Sequence, residues 1–331
     1  MKAVVVSKFG PVSNAKHDER AEPVPGAGQI VVDIHAAEAN FPDILVMEGA
    51  YQIKPPLPFS PGKAGAGVIS ALGDSVTGFS VGDRVGVQVE YGTYAEKLLT
   101  DAATCYPMPE GMGFDVAAAL GLVYQTSHFA LVERGRMKAG ERVLVLGATG
   151  GIGSAACQLA KALGAGQVIG GLLDLKDEPL AKQLGCDTVV SLAGDDLRDR
   201  LRQDIHEATG GAGVDVVIDP VGGTAFAAAL RAMAWRGRLV VIGFASGDIP
   251  SVKANYLLVK NIEVSGLQWS DYRERDPEWV ARVQNEIYGL WRAGKLSPHI
   301  SDRLPLSQFS EALERLRRGE VRGKLILEPG A

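Results

Sequence analysis

Apolar residues fall in short runs through the first third of the chain, at 3–6, 29–35, 67–72, 84–89 and 95–99. Turn-forming stretches at 23–28, 54–62, 73–78 and 82–83 separate them. Closely spaced short strands with Gly and Pro turns predict a small barrel or sandwich. The pattern changes after Pro109. Residues 114–122 form an Ala-rich apolar helix candidate, and 125–134 a second. From Arg142 onward strands and helices alternate. Strands are predicted at 142–146, 167–173, 188–191, 214–219, 238–244 and 262–267, and helices at 151–163, 178–184, 197–208 and 224–233. Such alternation predicts a parallel sheet covered by helices on both faces. The run VDVVID at 214–219 is almost continuously apolar, as a strand buried on both faces should be. Beyond residue 267 the alternation stops. Amphipathic helices are predicted at 278–293 and 306–318, and a closing strand at 324–327. The boundaries implied are 1–120, 121–265 and 266–331, with the last segment returning to the first domain.

Composition narrows the function classes. A chain of 331 residues exceeds one ordinary core and suits two domains. At 46% apolar and 22% charged it is too hydrophobic for disorder. A net charge of −5 argues against a nucleic-acid partner, although a local basic pocket for a phosphate is compatible with it. The three cysteines, Cys105, Cys157 and Cys186, form no CxxC and imply a reducing cytoplasm without a disulfide framework. The apolar run at 3–6 is too short for a secretion signal. No run approaches the ~18 apolar residues of a membrane span, so no membrane partner is expected.

The strongest motif follows the strand at 142–146. It runs Gly147-Ala148-Thr149-Gly150-Gly151-Ile152-Gly153 and opens a helix of small residues. The first glycines permit a tight turn, the middle ones let backbone approach a pyrophosphate, and the last lets the helix pack close to the sheet. Free N–H groups and the helix dipole then favour phosphate charge. The position between strand and helix, at the head of an alternating series, is the context this motif requires. The other reading is an ordinary strand–helix turn.

The stretch AGERVLVLGATGGIGSAACQLAKALGA at 139–165 closely resembles the medium-chain dehydrogenase/reductase superfamily, and within it the quinone oxidoreductase, zeta-crystallin-like branch. Matching pieces recur at 40–43, 47–51, 61–68, 82–85, 92–96, 215–222, 237–243 and 323–327. The resemblance implies a GroES-like β-barrel catalytic domain and a Rossmann doubly wound parallel-sheet domain, with the active site in the cleft between them. Zinc-dependent members bind their metal through a Cys and a His-Glu pair after Pro-Gly. The matching positions here hold Asn40, Lys63 and Ala64, and no cysteine stands between Val85 and Tyr94. Amide, ammonium and methyl do not make a zinc site, so no metal is expected. Without a Lewis acid to ionise an alcohol, the expected reaction shifts to hydride transfer onto a quinone or α,β-unsaturated carbonyl (an enone, acrylate or enoyl thioester). The alternatives are a dinucleotide-binding protein without turnover, crystallin-like or redox-sensing, and a zinc alcohol dehydrogenase.

The resemblance also implies site residues. Tyr51 and Asn40 match positions lining the nicotinamide pocket and are the candidate catalytic donors. Each has a plainer reading, Tyr51 as a rim aromatic and Asn40 as a turn residue. Asp43 is expected to organise their loop. Thr126 is the expected contact from the helix nearest the nicotinamide, and Lys324 matches a position near the phosphates or the cleft. Asp219, Val221, Gly243 and Phe244 lie where ligands bind, at the carboxyl ends of parallel strands. NAD-binding domains carry an acid at the end of the second strand; here that position is Leu172. Lys176 follows and suits a 2′-phosphate, with Gly171 leaving room for it, while Asp174 and Asp177 pull the other way. NADPH is therefore expected over NADH. The last strand of the parallel sheet would leave an open edge, which the branch pairs in a homodimer.

Overall fold

In the computed structural model, which describes residues 1–330, the chain divides into two compact units. The first combines Met1–Leu122 with Tyr272–Arg292 and the chain from Pro298 onward, and the second combines Val123–Asp271 with Ala293–Ser297. Seven strands come first: β1 (Lys2–Val5), β2 (Lys16–Glu19), β3 (Gln29–Ala39), β4 (Ala64–Leu72), β5 (Arg84–Gln88), β6 (Lys97–Asp101) and β7 (Cys105–Pro107). Six follow: β8 (Arg142–Leu146), β9 (Gln167–Leu172), β10 (Thr188–Ser191), β11 (Val214–Asp219), β12 (Met233–Val241) and β13 (Glu263–Gly266). Two close the chain, β14 (Ile300–Pro305) and β15 (Lys324–Glu328).

In the first unit a sheet runs β14-β15-β3-β4-β5-β7, with β6 also on β3 and β1–β2 as a separate hairpin. β3 is its spine. Its 11 residues pair with β6 and β4, and its end, Ala37–Ala39, pairs with β15. Register shifts between Val31 and Val32 and between Ile34 and Ala36 bend it, as bulges do. Val32, Ile34, Ala37 and Ile69 meet Phe309, Leu313, Leu325 and Leu327 in one buried cluster, so residues distant in sequence complete the core.

In the second unit all neighbours are parallel and the order is β10-β9-β8-β11-β12-β13. The chain starts in the middle at β8, works outward to β10, then returns to β11 and works outward the other way. The order therefore reverses between β8 and β11, where a doubly wound sheet opens its binding crevice. Leu144, Leu146, Val217 and Leu239 from the strands pack against Leu201, Ile205, Phe226 and Leu230 from the helices.

The elements expected from the sequence depart from those observed at several places. β2 reads KHDE, a polar strand that only its pairing with β1 reveals. The strand expected at 95–99 pairs over Lys97–Asp101 instead, and β3 continues past 35 to Ala39. The helix expected at 125–134 starts earlier, as Leu122–Phe129, and runs into a wider π turn at Ala130–Arg134. A helix at Phe41–Glu48 was hidden by Pro42, which a helix tolerates in its first turn; it ends at Gly49, φ +72°. No helix among the described residues is long and apolar enough to cross a membrane.

The glycine turn after β8 is set by backbone proximity. Gly147 has φ +66°, and a Cβ on Gly153 would lie 2.0 Å from the Gly147 carbonyl oxygen and 2.8 Å from Ala148 Cα. Gly150 differs, because its φ is −76° and a Cβ there would meet nothing nearer than 3.4 Å. Gly153→Ala should therefore lower stability by about 1–3 kcal/mol through overpacking, read as a lower urea midpoint for the second unit. Gly150→Ala should leave the midpoint within error. Equal effects at the two positions would refute this account.

Candidate active site

The second unit supplies a cradle at the ends of β8 and β11. Gly147 turns the chain, the Ala148 amide donates to the Gly171 carbonyl at 3.1 Å, and the Gly150 amide donates to the Gly147 carbonyl at 3.0 Å. The 12-residue helix Gly151–Ala162 starts there. Its first amides, on Gly151, Ile152 and Gly153, have no carbonyl one turn back, so they present donors and a positive dipole end. Thr149 is buried beside them. The helix carrying Thr126 docks on this turn, since Ser127 Oγ donates to the Ile152 carbonyl at 3.2 Å, and Thr126 itself is buried.

The turn after β11 meets the same place. Asp219 Oδ1 accepts from the Val221 and Gly222 amides at 2.8 and 2.9 Å, so this carboxyl shapes the turn. Burial raises its pKa, against the pull of those two amides. Val221 Cγ2 lies 3.2 Å from where a Cβ on Gly147 would be, and the Phe244 ring 3.1 Å from one on Gly222. Gly147, Val221, Gly222, Gly243 and Phe244 therefore form one rim, with Phe244 partly exposed.

At the end of β9 the geometry revises part of the sequence reading. Leu172 is buried. The space over Gly171 is filled by Leu192, whose side-chain carbons lie 3.0–3.1 Å from a Cβ built there, so this glycine serves packing and leaves no room for a phosphate. Asp174 caps the following turn by accepting from the Lys176 amide at 3.0 Å. The Lys176 ammonium stands in solvent, 3.8 Å from Asp174.

The first unit contributes a buried polar cluster at the corner between β3 and the helix Phe41–Glu48. Glu38 and Lys324 form an ion pair at 2.8 Å with side-chain exposures of 0% and 4%. The Lys324 ammonium also donates to Asn40 Oδ1 at 2.7 Å and the Ala39 carbonyl at 3.2 Å. These contacts make Lys324 a fixed member of the corner that holds Asn40. Asn40 Nδ2 donates to Glu38 Oε2 at 3.0 Å and to the Glu38 carbonyl at 3.3 Å. Burial raises the Glu38 pKa, against the Lys324 charge and these hydrogen bonds. The Asn40 backbone N–H in turn donates to Asp43 Oδ2 at 2.9 Å, which also accepts from the Tyr94 hydroxyl at 2.9 Å. Burial, and after it the Asp43 charge, holds the Tyr94 phenol well above its ordinary pKa.

Tyr51 lies half-buried beyond Gly49. Its backbone amide donates to the Leu45 carbonyl at 3.1 Å, which ties the loop to the helix end. The Lys63 ammonium sits over the Tyr51 ring, 4.4 Å from its centroid. Lys63 donates to Glu90 Oε2 at 2.5 Å and the Glu90 carbonyl at 3.2 Å, and Arg273 holds the other carboxylate oxygen of Glu90. Sequence reasoning singled out Tyr51, Asn40 and Asp43 but missed Glu38, Glu90, Tyr94 and Arg273. No local signal marks these four; only the fold brings Glu90 to Arg273.

Two family models match the chain: the alcohol dehydrogenase GroES-like domain over residues 26–110 and the zinc-binding dehydrogenase over residues 151–285. The chain is 35% identical over 302 residues to quinone oxidoreductase-like protein 2 of Rattus norvegicus, covering 91% of this chain and 85% of that one. It is 32% identical over 331 residues to quinone oxidoreductase of Homo sapiens, covering 99% and 97%. Among solved structures, Escherichia coli quinone oxidoreductase complexed with NADPH superposes with a TM-score of 0.91 at 29% identity, covering 99% and 100%. The zinc named by one family model does not fit these residues. An amide engaged by Glu38 and Lys324, an ammonium paired with Glu90 and a methyl stand at the ligand positions. No group of three or more His, Cys, Asp or Glu that could hold a metal exists among the described residues.

Asp43 provides a test of this cluster. Burial raises its carboxyl from 3.8 to about 6, against the Lys63 charge and the Tyr94 hydrogen bond. An acid whose pKa is raised on folding binds its proton more tightly in the native state. Stability should therefore fall as pH rises from about 4 to about 6, by up to about 2–3 kcal/mol from this group. Asp43→Asn removes the titration. The stability of the variant relative to the parent, from urea midpoints, should rise by that amount between pH 4 and pH 7. Parallel profiles would show that Asp43 is not buried as described.

Proposed function

The chain belongs to the zinc-independent quinone oxidoreductase branch of the medium-chain dehydrogenase/reductase superfamily, and we propose that it is an NADPH-dependent reductase of quinones or α,β-unsaturated carbonyls. Membership makes it an NAD(P)H-dependent oxidoreductase, with NADPH favoured by the relatives solved with it. The observation that carries the finer reading is Lys63. Where zinc-dependent relatives hold a metal ligand, this chain holds an ammonium on Glu90 and the Tyr51 ring. The acceptor must then be electrophilic without a metal, as a quinone or conjugated carbonyl is.

Bound NADPH supplies a hydride from nicotinamide C4. The amides of Gly151, Ile152 and Gly153 suit its pyrophosphate, and the Val221, Gly243 and Phe244 rim with Thr126 suits the rest of the dinucleotide. Leu172 leaves the ribose without the acid that marks NAD specificity, and the exposed Lys176 suits a 2′-phosphate. Tyr51 donates its hydroxyl hydrogen bond to the acceptor oxygen as it becomes an enolate or quinol oxygen. Asn40, with its amide nitrogen directed at Glu38, serves chiefly to hold that loop. Stabilising developing charge with placed donors is a large catalytic term. The three thiols, none in a disulfide, suit a cytoplasmic setting.

The test is NADPH oxidation across quinones, enones, acrylates and enoyl thioesters, with and without EDTA. Activity on at least one class, unchanged by EDTA and with kcat/KM above that for NADH, is expected. Tyr51→Phe should then lower kcat roughly a hundredfold with the Kd for NADPH unchanged. Silence across all four classes would point instead to a dinucleotide-binding protein without turnover. If Tyr51→Phe turns over like the parent while Tyr51→Ala fails, the ring is a packing wall.

The open edge of β13 further supports a homodimer. It is the last strand of its sheet, and Leu258 and Val259 on the adjoining helix are 78% and 77% exposed. Light scattering should report about twice the 34.9 kDa chain mass. A monomer at micromolar concentration would overturn it.

A further inference from the structure

The ammonium of Lys63 is buried, its side chain 3% exposed. A charge so placed costs free energy unless its surroundings compensate it. Glu90 supplies part of that compensation, taking two of the three ammonium protons through its carboxylate and its carbonyl. Glu90 is fixed in turn by Arg273, whose side chain is 8% exposed. The remaining face of the ammonium lies over the Tyr51 ring at 4.4 Å. Asp43 also feels the Lys63 charge, but its Oδ2 is committed to the Asn40 amide and the Tyr94 hydroxyl. Arg273, Glu90, Lys63 and Tyr51 thus form a relay of contacts that ends on an aromatic ring.

We propose that Lys63 is the positioning residue for Tyr51: clamped by Glu90, its ammonium fixes the phenol ring and strengthens its hydroxyl as a hydrogen-bond donor while negative charge builds on the acceptor oxygen. The inference rests on the reading of Tyr51 as donor. A cation over a ring face is attracted to its π electrons, and the attraction grows when the pair is shielded from water. It also grows when the ring becomes more electron-rich, as a phenol does on donating to an oxyanion. The interaction is therefore stronger in the transition state than in the ground state, which is what accelerates a reaction. Lys63 touches neither the reacting atoms nor the cofactor in this role; it acts through Tyr51. No proton leaves Lys63.

A double-mutant cycle separates this from a structural role. Parent, Lys63→Met, Tyr51→Phe and the double variant are compared in kcat on an accepted quinone or enone, and in NADPH affinity by fluorescence. Lys63→Met should lower kcat roughly tenfold in the Tyr51 background, leave the Kd for NADPH unchanged, and have less than a twofold effect in the Tyr51→Phe background. Lys63→Arg should restore most of the rate, because it returns a cation to the ring face. Lys63→Gln, which keeps a donor for Glu90 without the charge, replaces Lys63→Met in the cycle if the latter does not fold. Equal losses in both backgrounds, or no loss in the parent background, would overturn the proposal while leaving Tyr51 as donor. Parental kcat for Tyr51→Phe would remove the donor reading itself, and the role of Lys63 with it.

Discussion

A lysine ammonium with no water around it needs every one of its protons accepted, and in the first unit Lys324 meets that demand with Glu38, Asn40 and the Ala39 carbonyl. This constraint joins β15 to the end of β3 and fixes Asn40 at the head of the helix Phe41–Glu48. Asn40 passes the order on to Asp43, and Asp43 to Tyr94. The helix then delivers Tyr51 just beyond Gly49. Removing one member of such a buried pair strands the other charge, which typically costs about 3–5 kcal/mol.

The same economy explains what stands at the positions that hold metal in zinc-dependent relatives. A zinc site needs deprotonated or neutral ligands around a dication. Here the positive charge belongs to the protein itself, on Lys63, and the neighbouring carboxylate belongs to Glu90. A second cation, Arg273, shares that carboxylate. Charge is still concentrated beside Tyr51, but it is carried by side chains that the fold holds in place.

In the second unit the governing constraint is close backbone approach at the point where strand order reverses. Gly153 can sit against the Gly147 carbonyl only because it lacks a Cβ. That contact brings the first turn of the helix Gly151–Ala162 against the end of β8, and Asp219 folds the neighbouring turn toward it. Donor amides and a rim of small and apolar residues result, with the Asp219 carboxyl turned to the Val221 and Gly222 amides. Binding of a diphosphate there would rely on backbone, which explains why so few of the candidate contacts are side-chain groups.

Periodicity and glycine spacing determined most of the second unit from the sequence alone. Its strands are apolar and regularly spaced, and its key motif is local, so strand, turn and helix were legible in one continuous stretch from Arg142 to Ala162. The residues at the positions matched to the zinc ligands were legible too, because an amide, an ammonium and a methyl differ in chemistry from the thiolate, imidazole and carboxylate that hold zinc. Tertiary structure decided the rest. The polar strand β2 carries no apolar signal and exists through its pairing with β1. Gly171 looked like room for a phosphate until Leu192, 21 positions along, proved to fill it. Lys324 matches a position near the phosphates or the cleft, but its partners Glu38, Asn40 and Ala39 stand more than 280 residues earlier in the chain, and only the fold brings them to it. A side chain's chemistry is written in the sequence, but its partners depend on which distant segments pack beside it, and for a buried charge the partners decide what the residue is able to do.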